Sequence, residues 1–174
     1  VFCALNPDVA GLMELENTTP TDSINDLLAA INSQCGTANP YYFSGTGSTL
    51  GGDAIRVQIV YRSGVVVAVG SPMVDNAPIN SRPTMAQTFD VVDPANGAFG
   101  ERFTLVANHL KSKGGCGSAS GGDVDNNDGQ GCFSARRTAQ ANRLLTWVSS
   151  AVVPAAGDAD VLLVGAFNPY AQEP

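Results

Sequence analysis

The chain has 174 residues and a mass of 17.9 kDa, enough for one domain with a sizeable core. Apolar residues make up 44% of it and charged ones 14%, a balance that argues against a disordered tail and against a coiled coil. Sixteen acidic residues against nine basic ones give a formal charge of −7, so a broad basic face for nucleic acid is excluded and a polyanion needs a local cationic site with a metal.

In chain order, residues 8–13 read as a buried strand ending in Glu14-Leu15-Glu16. Pro20, Thr21 and Asp22 open a helix in which Ile24, Leu27, Leu28 and Ile31 fall on one face, and Gly36 closes it. Residues 41–43 form a short strand, and the Gly-rich stretch 44–52 a loop. Ile55, Val57, Ile59 and Tyr61 alternate with polar residues, as in a half-buried strand. Residues 65–69 are expected to pair with it through a tight turn at Ser63-Gly64.

The Pro/Asn-rich loop 71–83 leads to a strand at 86–92, and the turn 93–100 joins it to a strand at 103–109 as a hairpin. A long polar loop, 111–131, follows. Ser134 is the predicted cap of a helix carrying Ala135, Ala139, Leu145 and Val148, and residues 160–167 form a last strand. Without repeats or linkers, residues 1–174 read as a single α/β domain of mixed sheets with helices outside. The longest apolar runs, 65–69 and 161–164, are too short to cross a bilayer. No leader peptide is visible, and a start at Val1 points to a processed or excerpted sequence.

Four cysteines match no zinc spacing. Cys116 and Cys132 bracket a loop with too little apolar content to hold itself, so Cys116–Cys132 is the expected disulfide, leaving Cys3–Cys35. A bridge across such a loop contributes about 3 kcal/mol in the chain-entropy model. Disulfides point to an oxidising compartment, hence secretion; four buried thiols in a cytosolic protein are the alternative.

The only lysines, Lys111 and Lys113, and the only histidine, His109, fall within five residues, with Arg136, Arg137 and Arg143 not far behind. In an acidic protein this clustering suggests an anion site. Glu14, His109 and Asn168 each stand where an apolar strand gives way to a loop, the position from which a rigid scaffold presents reactive groups. A carboxylate there suits a hard divalent cation, a histidine suits proton transfer, and an amide suits orienting a phosphate or water.

These residues lie within an ordered set: Asp8-Val-Ala-Gly-Leu-Met-Glu-Leu-Glu-Asn17, Arg82-Pro-Thr-Met-Ala-Gln-Thr-Phe89, Asn108-His-Leu-Lys-Ser-Lys113, Asp-Gly-Gln-Gly-Cys132 and Gly165-Ala-Phe-Asn168. The set resembles the secreted bacterial extracellular nucleases of the endonuclease/exonuclease/phosphatase superfamily, relatives of pancreatic-type deoxyribonuclease. The resemblance implies a four-layer sandwich of two mixed sheets flanked by helices. It also implies Mg²⁺- or Mn²⁺-dependent hydrolysis of phosphodiesters, in DNA or, as a weaker option, RNA. By the same likeness Glu14 is the metal ligand and His109 the general acid. Arg82 contacts substrate phosphate, and Asn168 orients phosphate and nucleophile. Lys111 and Lys113 would hold the substrate backbone.

Three departures accompany the likeness. Ala166 stands where the family has aspartate. The family's early asparagine-bearing strand would precede Val1, and its late Asp-His pair would follow Pro174. Losing a general base or metal-side carboxylate costs several powers of ten in rate, so the chain is expected to be impaired, with open sheet edges. A non-catalytic binding or structural protein on this scaffold is one alternative. A phosphodiesterase or phosphatase acting on a phospholipid or phosphomonoester is another. Separately, Asp123, Asp125, Asn127 and Asp128 partly echo a Ca²⁺ loop, but the glycine comes one position late and the bidentate glutamate is missing; a solvated loop pinned by Cys116–Cys132 is the competing reading. Asn17-Thr18-Thr19 is a formal glycosylation sequon.

Overall fold

The computed structural model describes residues 1–17, 22–36, 38–45 and 49–171, with Asp22 described by its backbone alone. A short helix, α1 (Phe2–Leu5), precedes strand β1 (Val9–Glu16), helix α2 (Asp22–Cys35), β2 (Tyr41–Phe43), β3 (Ile55–Arg62), β4 (Val66–Asp75), β5 (Thr84–Val91) and β6 (Arg102–His109). Helix α3 (Ser134–Trp147) continues through a widened turn, Val148–Val152, into α4 (Val153–Ala156), and β7 (Val161–Ala166) ends the fold. The predicted helix start at Pro20 and Thr21 lies outside the described residues.

Two sheets form. One is three-stranded and antiparallel, in the order β1-β3-β2; the other runs β4-β5-β6-β7, with β7 parallel to β6 and the rest antiparallel. Alternation along the strands decides what each face meets. Val57 and Ile59 of β3 point between the sheets and pack with Met85 and Phe89 of β5 and Leu105 and Ala107 of β6. Val60 points the other way, onto Ile24, Leu28 and Ile31 of α2, the apolar face read from the helical spacing. Outside the second sheet, Ala86 and Val106 pack against Leu144, Trp147 and Val152. The layers are therefore helix, sheet, sheet, helix. Ile24, Ile59 and Phe89 are wholly buried, and each such side chain stabilises the fold by about 1.5–3 kcal/mol.

The expected β3–β4 hairpin does not form. Both edges of β3 are already taken, by β1 and by β2. Past Gly64, whose φ of +76° suits a glycine, Val65 O accepts hydrogen bonds from Val92 and Asp93, so the chain is captured by the other sheet. The turn thus crosses the sandwich, and β4 extends into what the sequence suggested was loop. Ser134 is not the cap either. Phe133 occupies that position with φ +64°, and the helix start is satisfied by Asp123 Oδ1, which accepts from Arg136 N at 2.8 Å. The widened turn puts Val152 into the core.

Both expected disulfides, Cys3–Cys35 and Cys116–Cys132, are present. Among the described residues no helix is long and apolar enough to cross a membrane. β7 is an edge strand, and Leu162 and Leu163, on its opposite faces, are 55% and 43% exposed.

Asp75 ties β4 to α3. Its carboxylate, 5% exposed, accepts from Arg143 Nε and Nη2 at 2.8 Å each, from Asn80 Nδ2 and from Ala77 N. The Arg143 bond chiefly holds the carboxyl below the usual carboxylate range. A depressed acid stabilises the fold above its unfolded-state value, about 3.9, and that stability drains away as pH falls through the native value. Asp75→Ala is expected to cost about 2 kcal/mol at pH 7, since Arg143 remains partly in water. In thermal melts the gap between wild type and variant should close progressively below about pH 5. A gap that is unchanged at pH 3 would refute this account.

Candidate active site

Strand ends from both sheets meet at one end of the sandwich. Leu105 and Ala107 of β6 face inward, so the two-residue repeat turns His109 inward too. Ala166 lies beside it, paired across the parallel β6–β7 ladder. Glu14 comes from the facing sheet. In β1 the register jumps from Leu12↔Gln58 to Leu15↔Arg56, so Met13 and Glu14 together oppose the single Val57. Such a bulge re-aims a side chain. Glu14 takes φ +62°, a left-handed conformation rare outside glycine, and its Oε1 comes to 4.0 Å from His109 Nε2. The His109 side chain is 4% exposed and that of Glu14 72%, so the histidine is buried and the acid beside it stands at the surface.

Burial first, then the Arg82 charge, lower the proton affinity of His109 below that of an ordinary histidine, while Glu14 and Asp53 oppose the shift. The shift favours the neutral imidazole. Its Nδ1 is buried with no hydrogen-bond partner among the described residues. Arg82 Nε stands 3.0 Å from Asp53 Oδ2, an ion pair by distance although the N–H is not aligned on the carboxylate. Asp53 belongs to this group and the sequence reading passed over it. It directly follows the Gly-rich stretch 44–52 that reads as loop and precedes β3, whereas Glu14 was marked by standing at the end of an apolar strand.

The other predicted residues sit on the adjoining loops. Asn168, with φ +58°, donates from Nδ2 to Leu110 O at 3.0 Å, so its amide ties the two strand exits together. Lys113 Nζ donates to Asn168 O and lies 3.8 Å from the centre of the Tyr170 ring. Lys111 Nζ donates to Gly114 O and sits 4.1 Å over the Phe133 ring; burial and the charges of Arg136, Arg82 and Arg137 lower its proton affinity. Both lysines hold loops as well as supplying charge.

α3 braces these loops from behind. Gln140, 1% exposed, accepts from Lys111 N at 2.8 Å and donates to Ile79 O and Ser81 Oγ, linking the β6 exit to the segment that carries Arg82. Arg137 donates to Lys111, Cys132 and Gln130 carbonyls. In the sequence Arg137 looked like part of an anion site; at 3% exposure it is a buried strut.

Among the described residues no three His, Cys, Asp or Glu side chains converge as a metal cage. In the suggested Ca²⁺ loop one oxygen of Asp125 accepts from Asn127 N and one of Asp128 from Gln130 N, while Asp123 Oδ1 accepts from Arg136 N of α3. Mg²⁺ is commonly held by one or two carboxylates plus substrate phosphates, and the exposed carboxylate of Glu14 beside the cleft fits that role. Asp53 is tied to Arg82, and Ala166 offers no side-chain oxygen.

Gly165 makes the β6–β7 end possible. At φ +141° a Cβ there would fall 1.9 Å from Asn108 O, inside the ladder that sets Ala166 beside His109. Gly165→Ala is expected to cost about 2–3 kcal/mol. Denaturant melts read the loss directly, and a variant as stable as wild type would overturn the packing argument.

Comparison with solved structures identifies this architecture with the endonuclease/exonuclease/phosphatase fold. A humanized D. rerio TDP2 superposes with a TM-score of 0.60 at 17% identity, over 99% of this chain and 53% of that one. D. rerio TDP2 complexed with single strand DNA product gives 0.59 at 17%, over 99% and 52%. ANGEL2, a 2′,3′-cyclic phosphatase, gives 0.59 at 15%, over 99% and 42%. The chain thus spans about half the length of these structures. No protein-family model and no curated protein matches the sequence.

Proposed function

We propose that this chain is a nucleic-acid phosphodiester-binding domain of a secreted, Mg²⁺- or Mn²⁺-dependent nuclease, with DNA as substrate and hydrolysis impaired by Ala166. One observation carries the reading. Glu14 from one sheet and His109 from the other come within 4.0 Å, next to the Arg82–Asp53 pair, in one opening at the strand ends. The likeness in fold to a TDP2 crystallised with single strand DNA supports nucleic acid as the ligand, and two disulfides fit an extracellular setting.

Phosphoryl transfer asks for charge neutralisation, in-line placement and a proton acceptor or donor. Arg82, with Nε on the Asp53 side, turns the rest of its guanidinium to a phosphate oxygen in a forked contact. His109, neutral and desolvated, accepts a proton at Nε2, the nitrogen that faces the opening, and can return it to a leaving oxygen. Glu14 would hold the divalent cation, which supplies Lewis-acid stabilisation of the phosphate when bound. Asn168 keeps the β7 exit in place through Leu110 O. Ala166 puts a methyl group beside the histidine where the family resemblance expects a carboxylate to position the attacking water. Binding therefore outlasts turnover in this sequence. Ala166 also favours a second reading, a domain used only to bind.

Two measurements separate these. A fluorescent single-stranded oligonucleotide in Mg²⁺ should bind the wild-type chain, and Arg82→Ala should weaken it at least about tenfold. Ala166→Asp should then raise plasmid cleavage by at least about 100-fold. No binding and no effect of Arg82→Ala would defeat the proposal; binding with no cleavage gain would leave the binding-only reading.

A further inference from the structure

The proposed site depends on Asp53, yet Asp53 stands at the end of a stretch with little to anchor it. Residues 49–53 are Thr-Leu-Gly-Gly-Asp, with Leu50 the one large apolar side chain. The β1–β3 ladder ends at Glu16↔Ile55. Asn17 carries the connection further. Its backbone N–H donates to Ala54 O at 2.8 Å. Its side chain accepts from Leu50 N at 3.0 Å and donates to Leu50 O at 3.1 Å and Asp53 O at 2.8 Å. One amide thereby fixes both ends of the turn across more than 30 residues of sequence. On its far side the turn abuts the segment holding Arg82: Gly51, with φ +70°, lies so close to Pro83 that a Cβ would fall 2.7 Å from Pro83 Cδ.

We infer that Asn17 is a positioning residue that sets the Asp53 carboxylate against Arg82 and so aims the guanidinium at a phosphate, an inference that rests on the phosphodiester-binding role proposed above. The bond pattern makes the amide hard to replace. Oδ1 serves as acceptor and both Nδ2 hydrogens are spent on carbonyls, a use that only an amide meets. Asn17 is three residues from Glu14, so the same strand end delivers the cation-side carboxylate and the clasp for the phosphate-side pair. The sequon takes on a different meaning as well. A sugar on Nδ2 would replace a hydrogen already committed to the clasp, so Asn17-Thr18-Thr19 is no glycan acceptor in the folded chain.

Asn17→Asp is the sharpest variant, because it keeps the size and the acceptor for Leu50 N while removing both donated bonds; Asn17→Ala removes all three. Each is made alone and in an Arg82→Ala background, with circular dichroism melts to confirm cooperative folding. Affinity for a fluorescein-labelled single-stranded DNA oligonucleotide in Mg²⁺ should fall about tenfold for Asn17→Asp with Arg82 present, and less than about twofold without it. The side-chain Nε–H resonance of Arg82, followed by nitrogen-15 NMR, should shift in Asn17→Asp. Equal losses in both backgrounds would reduce Asn17 to a general stability role and overturn the inference, as would unchanged affinity with an unmoved Arg82 resonance. Should wild type itself not bind the oligonucleotide, the functional proposal fails, while the Arg82 resonance still decides whether Asn17 positions that residue.

Discussion

The site depends on how closely the two sheets approach, and one glycine sets that distance. A Cβ on Gly11 would stand 2.5 Å from Val164 Cγ2 and 3.3 Å from Ala107 Cβ. Ala107 is two residues before His109, and Val164 is two before Ala166, so this contact is the layer directly beneath the cleft. Ordinary sheet packing leaves roughly 10 Å between layers, filled by side chains from both. Removing one of those side chains at Gly11 draws β1 toward β6 and β7. That is what lets a carboxylate on one sheet and an imidazole on the other come within 4.0 Å without either leaving its strand end.

Around that contact the chain departs from relaxed geometry at the positions that face the cleft. Glu14 and Asn168 both adopt positive φ without being glycine, one in the β1 bulge and the other just past β7. Backbone of this kind costs on the order of 1–3 kcal/mol per residue and persists only where surrounding structure enforces it. The enforcement is visible in each case. The β1 bulge is fixed by pairs on both sides, and Asn168 by its bond to Leu110 O. Desolvation adds to the cost, leaving His109 Nδ1 and Asn108 Oδ1 buried without partners among the described residues. Glu14 and Asn168 are two of five non-glycine residues with positive φ among the described residues, the others being Asn6, Asn127 and Phe133.

Much of this was legible from local pattern. The helical spacing of Ile24, Leu28 and Ile31 named the face of α2 that packs on Val60, and apolar runs breaking off into Glu14 and His109 pointed to the residues that meet. What escaped was fixed by partners distant in sequence. Whether residues 65–69 fold back on β3 or cross to the other sheet depends on β1 and β2 having filled both edges of β3, which no window around Gly64 reveals. Ser134 had the chemistry of a cap, but Asp123, eleven positions earlier, supplied the oxygen to the helix. Arg137 read as part of an anion site and is buried instead, because its guanidinium meets the Lys111 and Cys132 carbonyls. Asp53 was hidden by the glycines beside it, residues that speak of turn geometry rather than of chemistry.

The charge balance follows from the same geometry. A net charge of −7 repels a polyanion at long range, and that repulsion is screened within about 10 Å at 0.1 M salt. Around Lys111 the sign reverses locally: burial first, then the charges of Arg136, Arg82 and Arg137, lower its proton affinity, with Asp123 opposing them. Cations crowded in partly desolvated surroundings raise one another's energy, and a bound phosphate lowers all of them together. Under the phosphodiester-binding role proposed above, a phosphate at Arg82 would have to be attracted at short range, against the long-range repulsion of the acidic exterior.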